Sequence, residues 1–499
     1  MEELDAAVLR AWALGARATL DVARPHIDAV NVFPVADGDT GTNVLLTVEG
    51  GVAALGAVAV DAPASEVARA FAHGAMLAAR GNSGVIVSQY LAGLAAALPD
   101  APTPTHVAEA LASAARAARG AVADPQEGTV LTLADAVAAR AAAAATDGAS
   151  TAVLLAEAVA DAHRALARIS AEHPVLRRAH VLDAGACALL VVLDALVAAV
   201  RRAAPSHAAP DWLPSRPAHL DGAPEPGGAF EVMLLVREAG GSGGDLGAEL
   251  RARMHRLGDS VAVVGADGWW HVHVHTDEPG RAIAEAALGP REQVVVRLVD
   301  TPHAASGPEE EPGRWGLVAC TSSPSLAAWY ATAGAVTVVR CPETPVTSAH
   351  LARAVADTGA RSVAVLPGGA VGVDVLGDVL AADRGAVVEV LDADDQLRAV
   401  VATLAFAGAS SSSGTHAAVL ALGRVRGVAV DGDLLTGVEE LLGSGSRPGD
   451  LSLTVLHRDA VDPGVADALT ALLGARTDGV EPVLVGPTGN GPRFLVGID

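Results

Sequence analysis

Asn31-Val-Phe-Pro-Val-Ala-Asp37-Gly-Asp39-Thr-Gly-Thr-Asn43 places two carboxylates two residues apart, just before an apolar run. Gly38 between them lets the backbone turn tightly, so Asp37 and Asp39 can converge on one hard divalent cation. The stretch also supplies N–H groups and hydroxyls at a predicted helix start, where an anionic phosphate is best held: Thr40, Gly41, Thr42 and Asn43. This combination predicts a magnesium–nucleotide site. An acidic turn followed by an ordinary N-cap is the alternative that these residues leave open.

The composition bounds the class of protein. The chain has 499 residues, enough for about two to four domains with sizeable cores. Hydrophobic residues make up 51% of the chain but aromatic residues only 3%, so the cores must consist mainly of Ala, Val and Leu. The net charge of −24 argues against nucleic acid as the main partner and against unassisted docking on anionic membranes.

The chain contains no lysine, so all 34 basic residues are arginine. A biased genome composition explains this absence, but the chemical consequence remains. A P-loop lysine, a kinase strand lysine and a Schiff-base lysine are all excluded. Any phosphate charge must therefore be met by metal, backbone amides or arginine.

Cysteine usage and the apolar runs predict a cytoplasmic protein without an integral membrane segment. Cys187, Cys320 and Cys341 form no CxxC pair and fit a reducing compartment. The stretch 1–5 is acidic and has no basic region of the kind that begins a signal peptide. The most apolar run, 188–200, is interrupted by an aspartate and is too short to span a bilayer.

The N-terminal part of the chain has the periodicity of helices. An amphipathic helix is predicted over 4–24, and the Ala-, Leu- and Val-rich sequence that follows shows no alternation of period two. Further helices are predicted over 64–80, 84–98, 104–120, 128–145, 150–170 and 184–203. Residues 1–204 are therefore predicted to form an all-α domain in which small side chains allow close helix packing.

Three clusters of small polar residues occur at helix starts in this region. The first is Ala79-Arg-Gly81-Asn82-Ser83-Gly84, a turn whose backbone could wrap a phosphate with Ser83 as a donor. The others are Glu127-Gly-Thr129 and Leu182-Asp183-Ala-Gly185. Each cluster alone also fits a connecting turn or an N-cap. Because they recur at helix starts, their grouping at one end of a bundle would form an anion pocket.

The rest of the chain divides at two Pro/Gly-rich predicted linkers, 205–228 and 301–313. Between them, the order of strands and helices in 229–300 predicts a small α+β domain. Residues 314–499 alternate strands and helices up to about 407, which predicts a parallel α/β domain. Further strands are predicted near 415–422, 452–457 and 482–486.

A strand in the middle region carries three alternate histidines. His271, His273 and His275 are predicted to lie on one strand face, with Asp277 following. Such histidines can bind a metal, act on a phosphoryl group or form a solvated polar face, and the spacing leaves these choices open. Gly240-Gly-Ser242-Gly-Gly244 matches a GxSxG elbow, but no acid and histidine are placed for it, so we interpret it as a flexible turn.

The ordered motifs resemble those of the ATP-binding subunit of bacterial fatty acid kinase, which is related to the nucleotide-binding domain of dihydroxyacetone kinases. The matching motifs are Asn31–Asn43, Ala79–Gly84, Glu127–Thr129, Val181–Gly185 and Val272–Asp277. The resemblance weakens after about residue 290 but persists to the end of the chain. It implies an all-α eight-helix nucleotide-binding domain of the dihydroxyacetone kinase L-type, a small α+β middle domain and an α/β DegV-like C-terminal domain.

The resemblance also implies the roles of individual residues. Asp37 and Asp39, with Asn31 nearby, would hold one or two Mg²⁺ ions that bridge the ATP phosphates. Positions that would line or close the nucleotide pocket are Thr40, Thr42, Asn43, Ser83, Thr129 and Asp183. The same motifs contribute Gly41, Gly81, Asn82, Gly84 and Gly185. His273 and His275 match the family's histidine pair and are candidates for a catalytic role near the phosphoryl group.

The implied reaction is phosphoryl transfer from ATP to a fatty acid carboxylate held by a separate DegV-like carrier protein, giving acyl phosphate, with the kinase as a homodimer. Family members carry a cysteine shortly before a glutamate, and together with two histidines this cysteine can bind zinc. Here the stretch Gly228–Glu231 has no cysteine, which makes zinc doubtful. Two other functions stay open: a kinase of a small hydroxy-ketone or polyol, and a non-catalytic nucleotide-binding regulator.

Overall fold

A computed structural model describes most of the chain. The described residues are 3–122, 124–203, 208–214, 228–239, 245–299, 314–381, 386–410, 412–443, 452–477 and 479–499. The predicted linker 301–313 and the Gly240–Gly244 turn lie outside these ranges, as does most of the predicted linker 205–228. The chain divides into two compact units. Unit 1 takes residues 1–227, 243–274 and 300–309, and unit 2 takes residues 228–242, 275–299 and 310–499.

The N-terminal part of unit 1 is helical, as predicted. Its helices are α1 (Ala6–Asp28), α2 (Thr40–Ala54), α3 (Ala64–Ala78), α4 (Gly81–Ala97), α5 (Pro104–Gly120), α6 (Val130–Thr146), α7 (Thr151–Ser170), α8 (Pro174–Ala179) and α9 (Ala184–Val200). Among the described residues, eight of these helices have 15 to 23 residues, and α8, which the sequence reading missed, has six. A 3₁₀ turn, Leu55–Ala57, follows α2.

Helix α9 forms the centre of the helical bundle. Most of its residues from Ala184 to Val200 are buried, because it presents Ala, Leu and Val on all sides. Helices α1, α2, α6 and α7 pack around it. Trp12 of α1 donates its indole N–H to the carbonyl of Val192 at 2.8 Å, which joins the first and last long helices. This core holds the starts of α6 and α9 in place.

Small residues let neighbouring helices approach closely, as the composition predicts. At the crossing of α2 and α3, a Cβ added to Gly74 would lie 2.5 Å from the carbonyl oxygen of Gly50. No side chain larger than hydrogen fits there without a shift of the backbone. This close approach packs the second half of α2 against the end of α3, directly before the turn that leads into α4.

The middle region contributes to both units. Strand β1 (Phe230–Arg237) belongs to unit 2, whereas α10 (Leu246–Met254), β2 (Gly258–Ala266) and the first part of β3 (Trp269–Thr276) belong to unit 1. Strands β2 and β3 are neighbours in the sheet. The predicted order of strands and helices in this region is confirmed.

Unit 2 contains a sheet whose C-terminal part is parallel. After α11 (Pro279–Glu285) and β4 (Arg291–Leu298), the elements are β5 (Trp315–Thr321), α12 (Pro324–Thr332), β6 (Val336–Val339), α13 (Ser348–Asp357), β7 (Ser362–Leu366), α14 (Val373–Ala381), β8 (Val387–Val390) and α15 (Gln396–Ala407). The strand order within unit 2 is β1-β4-β6-β5-β7-β8. Strands β5 to β8 pair in parallel, which confirms the predicted α/β pattern, and β4 pairs antiparallel with β1 and β6.

The last part of unit 2 differs from the sequence prediction. The strand predicted near 415–422 is wrong, because these residues form helix α16 (Gly414–Arg424). Ala418, Ala421 and Leu422 recur at helical spacing and pack into the core beside α15. A second sheet follows, in the order β11-β10-β12-β9. Its elements are β9 (Arg426–Val430), α17 (Leu434–Gly443), β10 (Ser452–His457), α18 (Gly464–Arg476), β11 (Glu481–Val485) and β12 (Phe494–Ile498).

Within the described ranges, no helix combines the length and apolar character needed to cross a membrane.

Candidate functional site

The two aspartates of the opening motif lie on a loop that amide side chains hold in place. We call Asn31–Asp39 the carboxylate loop. Asn31 donates its Nδ2–H to Asp37 Oδ1 at 3.2 Å and to the carbonyl of Val35 at 2.5 Å. Asn43 donates its Nδ2–H to Asp39 Oδ1 at 2.8 Å. Gly38 has a φ of +68°, as expected for the tight turn between the aspartates. Each carboxylate is therefore oriented by its own amide partner.

The start of α2 is occupied by a carboxylate that sequence reasoning missed. Asp28 Oδ1 accepts the N–H groups of Gly41 at 2.6 Å and Thr42 at 3.2 Å, and Asp28 Oδ2 accepts the Thr42 hydroxyl at 2.8 Å. The N-cap residue Asp39 makes no side-chain cap bond. The N–H groups of Gly41 and Thr42 and the Thr42 hydroxyl were predicted to bind phosphate, but they already donate to Asp28.

Asp28 is held at this helix start at an electrostatic cost. Burial raises the pKa of Asp28 from 3.8 to about 7, and the negative charge of Asp39 adds to the rise. The hydrogen bonds from Thr42 and Gly41 act in the opposite direction, because they stabilise the ionised carboxylate. No sequence signal distinguishes Asp28 from other aspartates at helix ends, since its partners lie 13 and 14 residues further along.

At the start of α4, unlike at the start of α2, no side chain in the described residues accepts the first N–H groups. The α4 turn, Arg80–Gly84, enters the helix without a side-chain cap, and its first N–H group with a backbone acceptor is that of Gly84, which donates to Arg80 O at 2.9 Å. Within the described part of the chain, the N–H groups of Gly81, Asn82 and Ser83 therefore lack an acceptor. Helix-start N–H groups without an acceptor in the protein are available to water or to a ligand, so such a helix start favours an anionic ligand.

The α2 and α4 starts meet. Thr40 Oγ1 lies 3.3 Å from Ser83 Oγ and donates to Asn31 Oδ1. Gly81 has a φ of +53°, and a Cβ there would lie 2.5 Å from Asn43 Nδ2. The structure therefore brings the first predicted glycine cluster against the carboxylate loop and its amide partner.

The other two clusters meet at the starts of α6 and α9. Asp183 Oδ2 accepts the N–H of Ala186, which caps α9, and also the N–H of Val130 in α6, both at 2.8 Å. Burial raises the pKa of Asp183 from 3.8 to about 6, against these two hydrogen bonds. The N-cap interpretation of Asp183 is confirmed, and the bond to α6, 53 residues away, was not foreseen.

Thr129 and Gly185 complete this second junction. Thr129 is the N-cap of α6, and its hydroxyl accepts the N–H of Leu131 at 3.4 Å and donates to the carbonyl of Gln126 at 2.8 Å. Gly185 is buried, and a Cβ there would lie 3.3 Å from Asp183 Oδ2. Both residues therefore shape the two helix starts that Asp183 ties together.

A ring pair that sequence reasoning missed connects the carboxylate loop to the Glu127–Thr129 cluster. The rings of Phe33 and His173 have their centroids 4.1 Å apart, at 50° to each other. His173 is buried, and burial together with Arg177 lowers its pKa, so the ring is neutral at pH 7. A Cβ on Gly128 would lie 2.5 Å from the backbone nitrogen of His173.

The histidines of β3 are buried rather than solvated. His271, His273 and His275 are 2%, 0% and 4% exposed, so the interpretation as a solvated polar face is wrong. His271 Nε2 lies 3.1 Å from the carbonyl oxygen of Ala79, within unit 1. In unit 2, a ring nitrogen of His275 lies within 4.8 Å of a carboxylate oxygen of Glu231, which also forms an ion pair with Arg297. A zinc ligand set without the family's cysteine would have to use a glutamate that already pairs with an arginine.

A cavity of about 590 Å³ in unit 2 has a different character. It opens beside the starts of α17 and α18. Asp433 accepts the N–H of Thr436 at 2.9 Å, and Asp462 accepts the N–H of Gly464 at 2.8 Å. Because an aspartate already accepts an N–H group at each of these helix starts, the two starts are less open to an anion than the start of α4.

Comparisons with known protein families identify two regions. Residues 34–198 match the DAK2 domain, and residues 228–296 match the middle domain of the FakA-like family of fatty acid kinases. The chain therefore contains a region similar to the DAK2 domain, followed by a region similar to the FakA-like middle domain. The DAK2 match includes Asp37, Asp39, the α4 turn and Asp183, whereas Asp28 and Asn31 lie just before it. The histidine strand falls within the middle-domain match.

Individual proteins similar to this chain include Protein YloV of Bacillus subtilis (strain 168), which is 28% identical over 270 residues, covering 52% of this chain and 48% of that protein. An uncharacterized protein of Staphylococcus epidermidis (strain ATCC 12228) is 30% identical over 263 residues, covering 51% and 48%. The chain thus spans about half the length of the curated relatives it matches.

A solved structure with some similarity is the dihydroxyacetone kinase from C. freundii in complex with AMP-PNP and Mg²⁺. The identity is 20% and the TM-score 0.30, and the match covers 38% of this chain and 33% of that one. A similarity this limited carries no argument about the present site.

Proposed function

We propose that this protein is an ATP- and Mg²⁺-dependent kinase whose acceptor is a fatty acid carboxylate held by a separate DegV-like carrier protein. The observation that carries the proposal is the α4 start, whose three N–H groups lack an acceptor in the described residues and which adjoins two oriented carboxylates. The matches to the DAK2 domain and to the FakA-like middle domain support a kinase of this type.

The residues fit a magnesium site by their chemistry. Asp37 and Asp39 are half-buried carboxylates on one tight loop, and Asn31 adds an amide oxygen next to them. Hard oxygen ligands of this kind are those that Mg²⁺ prefers. Magnesium bound there would neutralise charge on the phosphate oxygens. This role accounts for a nucleotide site in a chain without lysine.

The phosphates are expected to bind to the amides of the α4 turn rather than to those of the α2 start. Gly81, Asn82 and Ser83 supply N–H groups, and the Ser83 hydroxyl adds a donor. Thr40 and Asn43 border this turn through their contacts with Ser83 and Gly81. In our proposal, Thr129 at the start of α6 also lines the nucleotide pocket. Asp183 contributes indirectly, because its carboxylate is used in capping α6 and α9.

The proposed step transfers the γ-phosphoryl group in line. The bond between the γ-phosphorus and the bridging oxygen of ADP breaks, and a bond forms from a carboxylate oxygen of the fatty acid to the same phosphorus. An ionised carboxylate needs no deprotonation, so no general base is required. The protein supplies positioning and electrostatic stabilisation. Direct roles for His273 and His275 stay a prediction, to be tested by substitution with glutamine.

The proposal is tested by ATP consumption of the full chain with Mg²⁺, with and without a DegV-like carrier loaded with fatty acid. Trapping the product with hydroxylamine identifies acyl phosphate. We expect turnover that depends on both the carrier and the lipid. Mg-ATP binding with turnover on a small hydroxy-ketone instead would favour the dihydroxyacetone-type kinase, and binding without any turnover would favour a regulator.

A homodimer is part of the same proposal, and light scattering of the purified protein measures it directly.

A further inference from the structure

Two elements of the middle region pack against the loops of the proposed nucleotide site, all within unit 1. Strand β2 pairs through an isolated antiparallel bridge between Ala262 and Val122, which lies in the connection from α5 to α6. Ala262 and Val264 also join a small buried apolar cluster with residues of the helical bundle: Ala79, Val85 and Ala121. The β2–β3 hairpin thus touches the connections that lead into α4 and α6.

Strand β3 adds a directed polar contact to this packing. His271 Nε2 lies 3.1 Å from the carbonyl oxygen of Ala79, and His271 is 2% exposed. A carbonyl oxygen can only accept, so Nε2 carries the proton and donates. Ala79 is the residue directly before the α4 turn. The carbonyl that His271 holds therefore belongs to the peptide unit that leads into Arg80.

The same carbonyl receives a second donor from the turn itself. Arg80 donates from Nη1 to the carbonyl of Ala79 at 3.0 Å and to that of Ala78 at 3.3 Å. With His271, two donors fix the orientation of the Ala79–Arg80 peptide unit. The next residue, Gly81, adopts a φ of +53°, so a small rotation at this peptide would redirect the N–H groups of Gly81 and Asn82.

We propose that His271 is a positioning residue for the phosphate-binding amides of the α4 turn. The inference rests on the proposed function for its effect on ATP, but the positioning itself is measurable without ATP. The alternate spacing of the β3 histidines is compatible with metal binding, phosphoryl chemistry or a solvated face. His271 instead acts through the backbone of the turn, and its contribution is to hold donors at the right angle.

Three substitutions of His271 test this positioning role, and they differ in whether the new side chain can donate an N–H to the Ala79 carbonyl. In His271→Gln, the amide nitrogen can take the place of Nε2 and keep the bond to Ala79. In His271→Asn, the shorter side chain places its amide at the Nδ1 position and cannot reach. In His271→Leu, volume is kept but the donor is lost. Because the Asn variant retains a polar group, it serves if the Leu variant fails to fold.

We expect the Leu and Asn variants to raise the KM for ATP about three- to tenfold, the range of one buried hydrogen bond, while kcat changes less than about twofold. His271→Gln should stay within about twofold of the unsubstituted protein. In ATP-free protein, hydrogen–deuterium exchange at Arg80 and Gly84, whose N–H groups donate to Thr47 Oγ1 and Arg80 O, should be faster in the Leu and Asn variants and unchanged in the Gln variant. Asp267→Asn on the same hairpin is the matched control, since the Asp267 side chain is 79% exposed and an ion pair with so exposed a carboxylate is of little energetic value.

Three results would overturn the inference: unchanged exchange in the Leu and Asn variants, a Gln variant as impaired as the Leu variant, or a fall in kcat with KM unchanged. A protein that does not bind Mg-ATP at all contradicts the proposed function instead. In that case the exchange measurement still decides whether His271 positions the turn.

Discussion

The starts of α2 and α4 lie side by side, with their Thr40 and Ser83 hydroxyls 3.3 Å apart. They differ in whether a side chain accepts the first N–H groups of the helix. At α2, Asp28 accepts the free N–H groups of the first turn. At α4, no side chain in the described residues takes that place. Both starts have the same dipole and similar small polar residues. The difference shows that a helix start is an anion site only where the chain does not already provide the anion.

The same comparison separates the roles of two carboxylates at the α2 start. Asp28 caps the helix from a distance in sequence, and Asp39, which occupies the N-cap position, makes no cap bond and is turned to Asn43. Because Asp28 provides the cap, the helix does not need the Asp39 carboxylate, which can serve as a metal ligand. Substitutions of the two residues should therefore have different consequences, one for catalysis and the other for stability.

The largest expected effect comes from Asp39→Ala. We expect Mg-ATP turnover to fall at least about 100-fold, because the proposed magnesium site loses a hard oxygen ligand. The melting temperature should change little, because α2 loses no cap. Turnover and thermal melting are measured on the same preparation, with Asp61→Ala, an exposed acid outside the site, as the control. Full activity of the Asp39 variant would show that the metal assignment is wrong.

The second-largest effect is expected on Mg-ATP affinity, from a substitution at the start of α4. Gly81→Ala adds a methyl group 2.5 Å from Asn43 Nδ2 at a residue with a φ of +53°. We expect the Kd for Mg-ATP to rise about tenfold or more, because the turn must shift away from Asn43. Gly148→Ala is the matched control, since Gly148 also has a positive φ, +77°, but no neighbour within 4 Å of the added atom. Equal affinity in the two variants would contradict binding at the α4 turn.

The third effect is a loss of stability when the acceptor at the start of α2 is removed. Asp28→Ala removes the acceptor of two N–H groups and one hydroxyl, and we expect the free energy of unfolding to fall by about 1–3 kcal/mol. Asp28→Asn keeps one oxygen acceptor, so its free energy of unfolding should fall by less. Denaturant unfolding followed by circular dichroism gives both values. A stable Ala variant that binds phosphate more tightly at α2 would mean that Asp28 only competes with a ligand there.

The smallest effect is a pH dependence from the second capped junction. Burial raises the pKa of Asp183 to about 6 in the folded protein, so between about pH 4 and pH 6 the folded state binds its proton more tightly than the unfolded state. The contribution of Asp183 to the free energy of unfolding therefore falls as pH rises through this window, by about 1–3 kcal/mol in total. Asp183→Asn removes this slope but keeps an oxygen for Val130 and Ala186. Melting temperatures of the two proteins across this range measure it, and parallel profiles would contradict the raised pKa.

The helices and most of the strands could be predicted because their signals are local. Period and turn residues placed α5 at its observed bounds, Pro104–Gly120, and placed β10 at Ser452–His457. The error at α16 has a local cause as well, since a short apolar run fits either a strand or a helix. Only its packing against α15 decides between them.

The candidate site could be predicted in its residue types but not in its connections. The aspartates, the glycine turn and the helix-start clusters are visible in the sequence. The contact of His271 with Ala79 spans 192 residues, and that of Asp183 with Val130 spans 53. No pattern within a window of sequence reports such pairs.

The sequence by itself determined which chemistry is possible: two carboxylates on a glycine turn, no lysine for phosphate, and helices built from small apolar residues. The tertiary structure alone decided which helix start is capped and which is left open. The physical reason is that a helix N-terminus must find an acceptor for its N–H groups. Whether that acceptor is a carboxylate of the chain depends on the packing of distant segments around α9, not on the residues of the helix start itself.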